Sequence, residues 1–160
     1  MFPCELKQEA TRPALSVRFR SPVQELPAHF GKAYGAICAY LDELGEAPAG
    51  GVFAAYYNMD MQDLEVEAGF TVLRPLPGKG DIQASEVPGG LYAICHYTGP
   101  YDGTEPAYNE LLKFIKDSGY THGEVCYEWY LNGPDTPSQD LKTDLVVGVI
   151  PTGERERETV

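Results

Sequence analysis

The chain repeats itself, and that repeat most restricts what it can fold into. Tyr34, Leu41, Gly45, Tyr56 and Asn58 recur as Tyr108, Ile115, Gly119, Tyr130 and Asn132, each pair 74 positions apart. Upstream, Ser21-Pro22 answers Gly99-Pro100 at a spacing of 78. The first copy therefore carries four more residues ahead of Tyr34, about one helical turn. Each copy opens on a run with strand character, Leu15–Phe19 or Leu91–Tyr97. A proline-containing turn follows, and then apolar residues at helical spacing. In the first copy these are Leu26, Phe30, Ala33, Ile37, Leu41 and Leu44; in the second they are Ala107, Tyr108, Leu111, Leu112 and Ile115. Gly45 and Gly119 come next, where a left-handed C-cap residue belongs. Thr104 is the expected N-cap of the second helix, with Glu105 favourable in its first turn.

Two strands close each copy as a hairpin: 51–58 with 64–72, and 125–132 with 140–150. Polar turns join them at Met59–Asp63 and Gly133–Gln139. Arg74–Asp81 reads as the linker between copies, rich in Pro and Gly, and Ile82–Val87 as a further strand. These signals predict the α+β class, with two strand–helix–strand–strand repeats at about residues 13–73 and 82–150. One helix on a small sheet is marginal alone. Two copies paired edge to edge make one antiparallel sheet with both helices on the same face. That arrangement predicts a groove between the helices, and pockets favour such junctions. A single domain is expected over 1–152. The tail 153–160 has no core-forming residues and is expected to be disordered.

Composition narrows the classes. An apolar fraction of 43% in 160 residues excludes a disordered chain and allows a sizeable core. No stretch approaches the roughly 20 apolar residues of a membrane helix. The start, MFPCELKQEA, lacks a basic segment followed by an apolar one, so no signal peptide and a cytoplasmic location are expected. Cys4, Cys38, Cys95 and Cys126 form no C-x-x-C pair, and no histidine lies at zinc-ligand spacing. No metal and no cofactor are expected, and the cysteines read as reduced, mostly buried thiols. The net charge of −12 disfavours direct nucleic-acid binding. It favours cations, weakly beyond about 8 Å because salt screens the field.

The candidate site lies in Tyr127–Pro134, YEWYLNGP, where Glu128 sits among Tyr127, Trp129 and Tyr130. A strand period of two puts Glu124, Cys126, Glu128 and Tyr130 on one face and Val125, Tyr127 and Trp129 on the other. The repeat mate of Glu128 is Ala54, so the acid occurs in one copy alone. Glu65 and Glu67 alternate with Leu64, Val66 and Ala68 and read as the wet face of a strand. Cys95 and His96 are strand neighbours on opposite faces, which argues against a nucleophilic dyad.

The second copy resembles the GyrI-like family, also called bacterial effector-binding domains. The resemblance is carried by Gly99-Pro100-Tyr101, Ala107-Tyr108 with Leu111, Gly119-Tyr120, Glu128-x-Tyr130-Leu131-Asn132 with Pro134, and Leu141-x-Thr143-Asp144. Tyr56–Val72 resembles the family's hairpin in the first copy, and the whole covers roughly residues 15–150. It implies a curved antiparallel sheet under two helices. Many members are ligand-sensing parts of transcription regulators that bind lipophilic, often cationic, aromatic molecules. Others stand alone and bind a small molecule or inhibit DNA gyrase, and some are hydrolases that open cyclopropane rings of alkylating natural products. With fourteen residues before Leu15, no helix-turn-helix is expected here. Gly133 replaces an aspartate that many members carry before the hairpin proline.

The resemblance implies that Glu128 and Tyr130 face the ligand at the bottom of the groove. Tyr56, Tyr92, Tyr101 and Tyr108 are further candidates for its wall, although Tyr34 and Tyr108 also suit a core role on their helical stripes. Three readings stand. A buried carboxylate with aromatic neighbours suits a cationic aromatic ligand. The same carboxylate suits a general base for ring-opening hydrolysis. An acidic domain also suits a basic protein partner such as gyrase.

Overall fold

The computed structural model describes residues 2–100, 103–132 and 135–151, leaving aside the side chains of residues 48–50. Tyr101, the Gly133-Pro134 end of the second hairpin and the tail 153–160 lie outside the described residues. The chain is α+β and divides into two compact units, residues 10–89 and residues 1–9 with 90–160.

The unit of residues 10–89 contains β2 (Arg12–Ser21), α1 (Leu26–Leu44), β3 (Pro48–Tyr56), β4 (Leu64–Val72) and β5 (Ile82–Val87). Its strands are antiparallel in the order β3-β4-β2-β5. The other unit is built from β1 (Cys4–Glu9), β6 (Gly90–Thr98), α2 (Glu105–Asp117), β7 (Tyr120–Tyr130) and β8 (Lys142–Pro151). Its strands are antiparallel in the order β7-β8-β6-β1. β1 and β5 thus hold the same edge position in their units. The sequence pattern predicted β5 but not β1, because CELKQE mixes polar and apolar residues too evenly to stand out. Its burial nevertheless alternates, with Cys4 and Leu6 turned inward. Among the described residues no helix is long and apolar enough to cross a membrane.

The repeat extends to single bonds. Asn58 accepts from the Glu65 N–H at 3.0 Å and donates to the Asp63 carbonyl at 3.0 Å. Asn132 accepts from the Lys142 N–H at 3.0 Å and donates to the Asp140 carbonyl at 3.1 Å. Each hairpin loop is therefore closed by the same asparagine, doing the work of a backbone turn. The ladder also shifts register between Pro48 and Val52 in β3 and at the matching place, His122 to Cys126, in β7.

Each helix packs its apolar stripe on its own sheet. α1 lays Ile37, Tyr40 and Leu41 on Leu15, Phe70 and Val72, and α2 lays Ala107, Leu111 and Ile115 on Ala93, Cys95, Leu145 and Val147. Gly45 takes the left-handed conformation at the end of α1 (φ 70°), as its position predicts. Gly119 is also left-handed (φ 84°), one residue past the C-cap Ser118 of α2. Thr104 is the N-cap of α2, but its hydroxyl makes no capping bond; the Thr104 carbonyl instead accepts the first helical bond from Tyr108 N–H at 3.0 Å.

On the sheet face away from α1, Glu65 pairs with Arg18 and Arg20, the wet face expected of it. Glu67 lies on the same face, opposite Arg18. It is half-buried and accepts hydrogen bonds from the Ser16 hydroxyl at 2.6 Å and from the Tyr57 phenol.

Candidate functional site

β7 alternates as its sequence dictates. Cys126 packs into the core beneath α2, and Glu128 and Tyr130 follow at steps of two, so all three face the helix. Tyr108 comes down from α2 one turn before Leu111, on the stripe that touches the sheet. It meets Glu128 there: the Tyr108 phenol donates to Glu128 Oε2 at 2.7 Å, and the Tyr130 phenol donates to Oε1 at 2.9 Å. Each carboxylate oxygen thus accepts one phenol. Both tyrosines and the glutamate are half-buried.

Burial pushes the Glu128 carboxyl above its ordinary 4.5, and the two phenols oppose the rise without cancelling it. No cationic side chain contributes to its environment among the described residues. Cys126, on the same face, has its thiol pushed up to about 11 by burial and then by the Glu128 charge. Thr143 stands directly opposite Tyr130 on β8, is buried, and has a hydroxyl without a hydrogen-bond partner among the described residues. The strand period already puts Cys126 on the face of the acid, whereas Thr143 is not singled out by the sequence. The cross-strand register places Thr143, and pattern alone does not reveal register.

Tyr92, expected on the groove wall, lies on the sheet face opposite Glu128. Tyr92 is opposite Gly148, one position out of phase with the Ala93–Val147–Cys126 row, so it emerges on the other side of the sheet. There its ring meets Tyr127 edge-on at 6.3 Å, and both are buried, as is Trp129. Tyr56 lies on β3 in the other unit, in phase with Ala54 and Val52 on the side that carries α1. Tyr101 is outside the described residues. His96 and Cys95 point to opposite faces, as expected of strand neighbours. Cys95 is in the core beneath α2, while His96 is held between Asp144 and Glu5. Among the described residues no group of His, Cys, Asp and Glu is arranged to hold a metal ion.

A half-buried carboxylate gripped by neutral donors, with no counter-charge among the described residues, can accept a proton, a cation or the proton of a water molecule. Comparison with known proteins bears on which. No curated protein matches the sequence. Among solved structures the chain is similar to EcmrR in its DNA complex, with a TM-score of 0.82 and 21% identity over 94% of this chain. It spans 58% of the EcmrR chain. It is also similar to SAV2435 bound to tetraphenylphosphonium, with a TM-score of 0.67 and 14% identity over 97% of this chain and 98% of that one. A hydrolase from Listeria innocua matches with a TM-score of 0.66 and 13% identity over 92% and 91% of the two chains. At these identities the likeness is one of fold. The sequence itself matches the GyrI-like small molecule binding domain over residues 2–150, and the chain belongs to that family.

Proposed function

We propose that this GyrI-like domain binds a small lipophilic aromatic cation, with Glu128 as the counter-charge. The carrying observation is the Tyr108–Glu128–Tyr130 cluster: a carboxylate taken out of water and given two hydrogen bonds but no positive partner among the described residues. Such a group gains most from a ligand that brings the missing charge. The phenol rings on either side offer faces for an aromatic cation, worth about 0.5–2 kcal/mol each depending on desolvation. SAV2435, which shares the fold, is bound to a molecule of this chemistry.

The test uses two ions of one shape and opposite charge, tetraphenylphosphonium and tetraphenylborate, titrated calorimetrically. Wild type should bind the cation and reject the anion. Glu128→Gln should lose about tenfold or more of the cation affinity. Equal cation binding by the two proteins removes Glu128 as the counter-charge.

A second reading uses the same atom. A carboxyl raised by burial suits a general base for activating water, and Tyr108 or Tyr130 could protonate an opening ring. The chemical test is incubation with a cyclopropane-bearing alkylator. A ring-opened product formed by wild type and not by Glu128→Gln supports hydrolysis; no product from either excludes it for that substrate class.

A further inference from the structure

Cys4 on β1 and Cys95 on β6 are direct partners in the antiparallel ladder. The adjacent position carries the ladder bond, His96 N–H to the Pro3 carbonyl at 2.9 Å. Hydrogen-bonded and non-hydrogen-bonded positions alternate, so the cysteines occupy a non-hydrogen-bonded pair, where facing Cα atoms approach to about 4.5 Å. That separation falls within the roughly 4.4–6.8 Å that a disulfide spans. Both side chains turn toward α2, with Cys95 fully buried and Cys4 half-buried. The Cys4 thiol donates to the Phe2 carbonyl at 3.6 Å, and each cysteine enters the electrostatic surroundings of the other.

We propose that Cys4 and Cys95 form a redox modification site, closed into a cross-strand disulfide by a low-molecular-weight disulfide such as oxidised glutathione. Cys4 is the entry point because it alone of the two keeps access to solvent. Its thiolate attacks one sulfur of the oxidant, breaks that S–S bond and releases one thiolate. Cys95 gives its proton to solvent, attacks the Cys4 sulfur and expels the second. Two protein thiols are oxidised and the small disulfide is reduced to two thiols. Burial holds both protein thiols above their ordinary range, Cys95 at about 12, so closure is slow at neutral pH. Its rate rises about tenfold per pH unit while the attacking thiol is mostly protonated.

Closure acts on β1. Phe2, at the head of that strand, donates its N–H to Glu110 Oε2 on α2 at 2.6 Å, and its ring packs on Tyr97 at 5.3 Å. Glu110 is two residues from Tyr108 on the same helix. A covalent tie between β1 and β6 therefore fixes the strand that braces the helix carrying Tyr108.

The test is made in a Cys38→Ser background, because Cys38 is exposed and would form adducts of its own. The protein is treated with oxidised glutathione at about pH 8.5, and its peptides are mapped without reduction. The expected product is a monomer that has lost two hydrogens and contains linked Cys4 and Cys95 peptides. Its melting temperature should rise by roughly 5–10 °C and return on reduction. Adding Cys4→Ser, which spares the buried partner, should abolish both changes. Glutathione adducts without the Cys4–Cys95 link, a link to Cys126 instead, or a link that leaves the melting temperature unchanged would each overturn the assignment.

Discussion

Tyr34 and Tyr108 hold the same place in the two repeats but give their protons to different groups. The Tyr34 phenol donates to the Phe53 carbonyl at 2.6 Å, whereas the Tyr108 phenol donates to the Glu128 carboxylate at 2.7 Å. Ala54 stands where the second repeat has Glu128, and it is fully buried. One repeat thus uses its helix tyrosine to tie down backbone and the other uses it to hold a charge. Tyr34→Phe should cost about 0.5–1.5 kcal/mol of stability with little dependence on pH, since both partners are neutral. Tyr108→Phe should cost more, about 1.5–3 kcal/mol where Glu128 is ionised, and less in acid. Urea unfolding of both variants at neutral and acidic pH separates them; a pH-independent loss for Tyr108→Phe would show that the carboxylate is not what it serves.

Glu128 itself should destabilise the free protein at neutral pH. Its pKa is higher folded than unfolded, so the folded state binds the proton more tightly. Stability therefore falls as pH rises from the ordinary carboxyl value, 4.5, through the raised one, and stays reduced above it. Glu128→Gln should be more stable than wild type at about pH 8, by on the order of 1 kcal/mol, and equal to it below about pH 4. Cation affinity should run the other way, strengthening with pH in wild type and flat in the variant. A variant less stable than wild type at about pH 8 contradicts the first expectation.

Much of this was legible before the coordinates. Tyr34, Tyr56 and Asn58 with their partners gave the repeat, and the structure adds matching asparagine turns and register shifts. Alternation placed Glu128 and Tyr130 together and sent Tyr127 and Trp129 to the other face. The face of Tyr92 is fixed by the β6–β8 register and not by its own strand's composition, so the sequence leaves its side open. Tyr108 was ambiguous for a physical reason: a helix stripe that packs on a sheet is apolar whether its tyrosine ends in the core or on a carboxylate. β1 was invisible because its pairing with β6 joins residues about 90 positions apart, and its short sequence carries little signal of its own.

Two glycine substitutions should act in opposite directions. A Cβ on Gly69, in the middle of β4, would lie 2.7 Å from the Leu15 carbonyl oxygen, 2.8 Å from the Phe53 ring and 2.9 Å from Ser16 Cβ. The backbone oxygen cannot step aside without disturbing β2, so Gly69→Ala should cost about 1–3 kcal/mol or more. Gly35, inside α1, has nothing within 4 Å of the same position and is exposed. Gly35→Ala should stabilise by about 0.5–1 kcal/mol, by lowering the entropy of the unfolded chain. Thermal unfolding of the two variants checks both signs.

His96 should give β1 a pH-dependent hold on the sheet. Its Nδ1 lies 2.7 Å from Asp144 on β8 and its Nε2 lies 2.6 Å from Glu5 on β1. A neutral imidazole has one N–H and can donate to only one of them, so both bonds require the protonated ring. The Glu5 hydrogen bond, then the Asp144 one, raises the His96 pKa above its ordinary 6.5, while partial burial opposes them. The stability this gives is complete below 6.5 and is lost as pH rises through the raised value. The effect is small because the ring keeps 41% of its surface in solvent. Amide exchange in Glu5–Gln8 should therefore quicken, beyond its intrinsic dependence, between about pH 6 and pH 8 in wild type. In His96→Gln that excess should vanish; an unchanged excess would place the pH sensitivity of β1 on another group.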